Sequence, residues 1–305
     1  MINFILKRLV LALLVAFTVS FLSFLLLFVS GDPAVAIAGE GASPADIEAV
    51  RVRYGFDRLI LVQYLAWLGG ALQGDFGESY YFKLPVVELV SERLYVTMTL
   101  GACGMGFALL TAIPLGVVAA MRPNSFTDRS ALFASVVGQA IPSFWFALIL
   151  IVIFSIKLRL LPPSGASSWS HFVMPTIVLG YYAMPAIMRL TRAGMLEVLR
   201  SDYIRTARAK GASEFRVLFK HALRNAIIPV VSLAAVQMGF MLGGSVIVES
   251  IFALHGAGYL AWESIARNDL PTVQALILVF SMFYIVFTFV ADVLNAWLDP
   301  RMKGA

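Results

Sequence analysis

The sequence predicts an all-α membrane protein with six transmembrane helices in one domain. Three observations carry this. Of the 305 residues, 60% are hydrophobic and only 13% charged, whereas soluble domains carry about 25% charged residues. The mean hydropathy is +0.86. Uncharged runs long enough to cross a hydrocarbon core, about twenty residues each, recur evenly from end to end, and Lys and Arg gather in alternate connections, as the positive-inside rule requires.

Lys7 and Arg8 precede the first expected span, 9–30, and place its start in the cytoplasm. The stretch 31–93 is mixed and polar and reads as one long external loop. Within it Ser43 is placed to cap a helix running to Tyr54, with Pro44 in the first turn. The second span is 94–121. Its Gly101, Gly104, Gly106 and Gly116 thin one side for close helix approach, and Pro114 suggests a kink. Arg122 and Arg129 flank a short cytoplasmic turn. The third span, 130–156, carries a break near Pro142, and 157–169 is a short external turn region containing Pro162-Pro163-Ser164-Gly165. The fourth, 171–195, runs on into basic residues and projects beyond the bilayer. The fifth is 226–248, with Gly239 and Gly243 as a close-packing pair, either inside the bundle or at a subunit contact. A second external segment, Glu249 to Pro271, precedes the sixth span, 272–298, and Asp299-Pro300-Arg301 and Lys303 close the chain. Six spans put both termini in the cytoplasm. The internal side then holds most of the 23 Lys and Arg residues.

The connection at 200–225 organises the rest. It carries Arg205, Arg208, Lys210, Arg216, Lys220 and Arg224 between two apolar segments. Ile204, Ala207, Gly211, Phe215, Leu218 and Ala222 recur at spacings of three and four and are expected on one helix face, with Arg216, Lys220 and Arg224 on another. A basic amphipathic helix either lies on anionic lipid or docks into a groove of a partner protein. Gly211 favours the partner. Glycine breaks a helix, and two short helices joined at an elbow make a compact plug, which a surface-lying helix has no need of.

Other chemistry is sparse. No GxxxxGK[ST], HExxH, CxxC or GxSxG pattern occurs, and His171, His221 and His255 are far apart in sequence. Cys103 is the single cysteine and offers no disulfide. Basic residues are not interleaved with an aromatic platform, which argues against nucleic acid. Asp292 is the candidate intramembrane charge, read either as a relay or as a residue at a helix end. A secondary transporter predicts buried carboxylates and internal repeats, and an intramembrane protease predicts a Gly-flanked nucleophile. Neither pattern is evident.

The residues Asp202-Tyr203-Ile204-Arg205-Thr206-Ala207-Arg208-Ala209-Lys210-Gly211, then His221-Ala222-Leu223-Arg224-Asn225-Ala226 and Pro229, resemble the cytoplasmic coupling loop of ABC importer permeases in the branch that imports dipeptides, oligopeptides and nickel. Arg205 and Thr206 stand where the general importer motif has Glu and Ala, and Arg224 where it has Pro; these departures are those of the peptide branch. The stretch from Tyr54 to Tyr80 resembles that branch's first external loop, read as a rim that receives a binding protein or as a solvated lid. His255-Gly256-Ala257-Gly258 resembles its PGLG segment with His for Pro.

The resemblance covers essentially the whole chain. It implies a type I ABC importer transmembrane domain in a bacterial inner membrane, paired with a homologous second permease. It also implies two ABC ATPases below and a periplasmic or lipid-anchored substrate-binding protein above. ATP and Mg would be bound by the ATPases and no cofactor by this chain. The coupling surface is expected at Arg205, Thr206, Ala207, Arg208, Ala209, Lys210, Gly211, Glu214, Phe215, Arg216, Leu218 and Phe219, with Phe215, Leu218 and Phe219 as apolar anchors.

Overall fold

A computed structural model of the chain describes residues 2–29, 32–39 and 41–298. Ser30, Gly31, Glu40, Asp299, Pro300, Arg301 and Lys303 lie outside them. Among the described residues there is no strand, only an isolated bridge between Glu78 and Pro85.

The first helix, α1, spans Ile2–Val29 and exposes a row of large apolar side chains, among them Leu6, Val10, Leu13, Leu14 and Phe17. The stretch expected as an external loop is folded. It holds α2 (Pro33–Ala38), α3 (Pro44–Tyr54) and α4 (Ile60–Ala71). Ser43 and Asp46 form a reciprocal capping box at the start of α3, as the Ser-Pro-x-Asp order expects. The Ser43 contacts hold the Asp46 carboxyl below the usual carboxylate range. Helix α4 was not foreseen. Its Tyr64 is buried among Phe17, Phe21 and Phe24 of α1, at ring distances of 5.8, 5.1 and 5.5 Å. The Tyr64 hydroxyl bonds Ser20 Oγ at 2.7 Å, so its polar tip is satisfied where its ring is buried.

Helix α5 (Val86–Met121) begins before residue 94, because Glu88, Ser91, Glu92 and Arg93 continue the same helix outward from its apolar part. The third expected span is two pieces. Helix α6 (Phe126–Ala140) stops at Ile141 and Pro142, where the chain turns extended, and α7 (Ser143–Leu150) resumes and widens into a π-helical turn at Ile151–Lys157. Neither piece is long enough to cross a membrane alone; among the described residues five other helices are, by length and composition. Those five are α1, α5, α8 (Ser170–Leu199), α12 (Ile228–Ile251) and α14 (Leu270–Leu298). Between α8 and α12 come α9 (Asp202–Ala209), α10 (Glu214–Arg216), a π-helical turn at Val217–Ala222 and α11 (Leu223–Ala226); α13 (Ala257–Ala266) precedes α14. At 1.5 Å per residue the 30 residues of α8 extend about 45 Å, well past a core of about 30 Å.

The central core joins α5, α7, α8 and α12 through residues such as Leu100, Met174, Ile187, Met188 and Val248. Glycines let α5 and α8 touch backbone to backbone. A Cβ at Gly180 would lie 2.4 Å from the Gly104 carbonyl oxygen, and one at Gly116 would lie 2.7 Å from Thr191. Gly239 of α12 packs against Tyr284 of α14 within the chain, while Gly243 faces open space, so the two glycines do not form one contact. Asp128 ties the α6 turn to α8. It is buried, and it accepts two hydrogen bonds from Arg192 (2.6 and 2.7 Å) and one from the Asn124 amide. A buried carboxylate needs this pairing, since its desolvation is otherwise uncompensated.

Asp292 makes a 3.2 Å ion pair with Arg8 of α1. The carboxylates most deeply enclosed are others. Glu249, expected outside the fifth span, is the last turn of α12 and fully buried. It accepts from Thr97 Oγ1 and Ser245 Oγ, both at 2.8 Å, and from the Tyr259 amide at 2.8 Å. Asp269 accepts from Ser79, the Tyr80 amide and Thr272, tying the 75–83 loop to the start of α14.

Candidate functional site

Residues 200–226 fold onto the basic end of the bundle. Ser201 leads into α9 with extended backbone, Asp202 occupies the first turn and Arg208 the last, as the helix dipole favours. Gly211 ends the helix at φ +80°. Its amide bonds the Arg208 carbonyl at 2.9 Å, and the Ala212 amide reaches back to Ala207 at 3.2 Å, the paired bonds of a Schellman stop. The elbow anticipated at Gly211 is therefore a left-handed helix cap. Glu214 starts the next helical run, which widens to a π turn at Val217–Ala222.

Two contacts staple the halves together. Arg208 Nε and Nη2 donate to the two carboxylate oxygens of Glu214, at 2.8 and 3.2 Å. The Arg208 guanidinium holds the Glu214 carboxyl below its ordinary range, and Glu214 in turn raises Arg208. Asn225 Nδ2 donates to the Tyr203 hydroxyl at 2.7 Å. Ile204, Val217, Leu218, Ala222 and Ala226 form a small core with Val117 and Ala120 of α5 and Met195 of α8. The segment is thus an outgrowth of the transmembrane helices, and its position is set by theirs.

The expected residues divide into two faces. Leu218 is 5% exposed and belongs to this inner core, so it offers nothing to a partner and is not an outward anchor. Phe215, expected on one face with Ile204 and also as an apolar anchor, leaves the face of Ile204 and points out, 73% exposed; Val217 takes the inward place. The physical reason is the phase of the helix. The stop at Gly211 restarts the count, and the π turn, closing i to i+5, advances fewer degrees per residue than the assumed 3.6-residue period. Phe219 is 45% exposed and packs on Phe215 with ring centroids 4.7 Å apart. On the same segment Arg205, Thr206, Ala209, Lys210, Gly211, Glu214 and Arg216 are exposed, and Ala207 is half-buried. Lys220 and Arg224 are exposed as well. Two large exposed aromatic side chains on a basic segment, with its backbone fixed from behind, form a surface suited to insertion in an apolar groove.

Among the described residues no group of three or more His, Cys, Asp or Glu side chains is placed to hold a metal ion.

The Binding-protein-dependent transport system inner membrane component family matches residues 112–304, and its N-terminal counterpart matches residues 1–101. The glutathione transport system permease protein GsiC of Escherichia coli K12 is 40% identical over 304 residues, covering 99% of both chains, and the protein of the same name from Shigella dysenteriae is equally similar. The inward-facing MetNI methionine ABC transporter superposes with a TM-score of 0.57 at 18% identity, over 69% of this chain and 96% of the other. An amino acid ABC transporter crystallised with histidines gives 0.53 at 15% identity, over 69% and 94%. At such identities these structures speak for the fold alone. The fold, the docked basic segment and the full-length similarity together establish that this chain belongs to the binding-protein-dependent transport family, as a multi-pass inner-membrane permease subunit of an ABC importer.

Proposed function

We propose that the chain forms half of a translocation path for peptide-like substrates, with a homologous second permease forming the other half. Coupling enters through residues 200–225, where a partner ATPase receives the Phe215–Phe219 pair. The observation that carries this is the outward aromatic pair on a loop whose inner face is welded to α5 and α8. A push on the pair is transmitted to those two helices without first bending the loop. ATP and Mg are bound by the ATPases, and a substrate-binding protein delivers cargo to the opposite face. The full-length similarity to a glutathione permease supports a small peptide-like cargo.

The test is uptake of labelled glutathione and dipeptides into vesicles holding the chain with its second permease, ATPases and binding protein. ATP-dependent uptake of either supports the reading; uptake indifferent to ATP, or failure of any ATPase to co-purify, overturns it. The proposed orientation puts Arg53 and His255 outside and Arg129 and Lys210 inside. Single cysteines at these exposed positions, in a Cys103→Ala background, should follow that division with an impermeant reagent. External labelling at 210 would refute the orientation.

A further inference from the structure

A cavity of about 590 Å³ lies between α4 and the 75–83 loop on one side and the ends of α1 and α14 on the other. Its polar lining has both signs of charge: Arg58 and Lys83 against Asp75 and Glu78. Among the described residues neither cation makes an ion pair. Lys83 is held at φ +57°, a backbone region a lysine seldom occupies, by its amide bond to the Ser79 carbonyl and the neighbouring Phe82 amide bond to Ser79 Oγ. The second observation is Gln274 of α14, which lines the same cavity at 3% exposure with its amide Nε2 lacking a hydrogen-bond partner. A buried donor left unmade is costly and signals something that accepts from it.

Trp67 of α4 forms the apolar wall. On its outer side α4 exposes Leu61 at 61% and Leu65 at 63%, with Leu72 at 80% just beyond its end. The helix carries no charge and, at 12 residues, is too short to cross a bilayer. A helix of this kind, fastened to α1 by Tyr64, is suited to the boundary of the acyl region. The cavity is therefore bordered by the polar 75–83 loop on one side and by the apolar helix α4 on the other. It sits on the α1–α4–α14 flank, away from the α5–α8–α12 core.

We propose that this cavity is a phospholipid site selective for a zwitterionic headgroup such as phosphatidylethanolamine. The phosphate is bound by Arg58, Lys83 and the Gln274 amide, the ammonium faces Asp75 and Glu78, and an acyl chain leaves past Trp67 along α4. Matched charges of both signs favour a zwitterion over an anionic headgroup, and the apolar exit favours a lipid over a free solute. The proposal is independent of the transported substrate and of the orientation of the chain.

The full-length chain, delipidated in detergent, is titrated with phosphatidylethanolamine, phosphatidylglycerol and water-soluble glycerophosphoethanolamine, and bound species are counted by native mass spectrometry. The wild type is expected to retain one phosphatidylethanolamine in preference to phosphatidylglycerol. Gln274→Leu should weaken it about tenfold, the loss for one hydrogen bond to a charged group. Arg58→Gln with Lys83→Gln, at exposed positions outside the long helices, should weaken it at least as much while unfolding remains unchanged. Equal retention of the two lipids by wild type and variants would mean ordinary surrounding lipid. Equal competition by glycerophosphoethanolamine would mean a site for soluble phosphodiesters, and no retained lipid would mean a water-filled cavity; each of these overturns the proposal.

Discussion

Arg208 and Glu214 close a two-bond bridge over the Gly211 turn, joining the last turn of α9 to the first of α10. Both side chains are largely exposed, 44% and 62%, so the bridge contributes little to global stability. Its effect is local: it fixes the angle between the two short helices. Because Glu214 is held below its ordinary pKa, the contribution is fully present above the carboxyl's unfolded value. It is lost as pH falls through the folded one. Amide exchange at Gly211 and Ala212 should therefore be protected at neutral pH, after correction for intrinsic rates, and lose part of that protection in acid. Glu214→Gln should show the acid behaviour at every pH. Identical pH profiles for wild type and Glu214→Gln would show that the bridge does not order the turn.

The buried Glu249 joins three elements at the other end of the bundle: α12, α5 through Thr97, and the start of α13 through the Tyr259 amide. Thr97 extends the network by accepting from the Ala257 amide at 2.8 Å. Gln cannot replace the carboxylate without turning an NH2 toward a donor on one side. Glu249→Gln should lower stability by about 1.5–3 kcal/mol, the range for a hydrogen bond to a charged group. It should also increase protease cleavage within 253–268. Thermal unfolding in detergent with limited proteolysis checks both; an unchanged melting temperature would mean that the carboxylate is not needed to join the three elements.

Much of this was readable before the structure. Long apolar runs marked the five long apolar helices, and Gly211 marked the elbow. Three things were not. Helix α4 is as apolar as a span but too short for one, and only its aromatic contact with α1 reveals its role. Glu249 looked like the first residue of a polar connection, because a charged residue after an apolar run resembles a boundary. Its serine one turn earlier and the nearby Gly256 and Gly258, which leave it room, were the available signals. The inward and outward faces of 214–222 depended on a π turn, which no regular period encodes.

That division takes Leu218 out of the expected anchors and leaves Phe215 and Phe219. Phe215 is the exposed aromatic and Leu218 is internal. Anchors of this size dominate contact energy, and rim charges add little. Phe215→Ala should reduce ATPase co-purification markedly, by roughly tenfold or more in affinity for a hot spot of about 2 kcal/mol. Arg216→Ala should reduce it only slightly and make it less sensitive to salt. Leu218→Ala should instead lower the stability of the chain, since it leaves a cavity against Val117 and Met195. Equal loss of ATPase from Phe215→Ala and Arg216→Ala would contradict the ordering.

Gly211 allows the sharpest test of coupling. A Cβ there would meet nothing within 4 Å, so crowding inside the chain is not the obstacle to substitution. The obstacle is backbone: at φ +80° a β-branched residue is strained, by about 1–2 kcal/mol or more. Gly211→Val should therefore fold and insert, because the membrane helices are untouched, yet shift the helix stop and turn the Phe215–Phe219 pair away from its set direction. Transport should fall, and ATP hydrolysis should no longer respond to loaded binding protein. Asparagine tolerates the left-handed region, so Gly211→Asn should retain most of both activities although it adds a side chain at the same exposed place. Uptake and stimulated hydrolysis in reconstituted vesicles distinguish the cases. Loss in both variants would assign the defect to a partner that admits no side chain at residue 211, and wild-type behaviour of Gly211→Val would remove the turn from the coupling path.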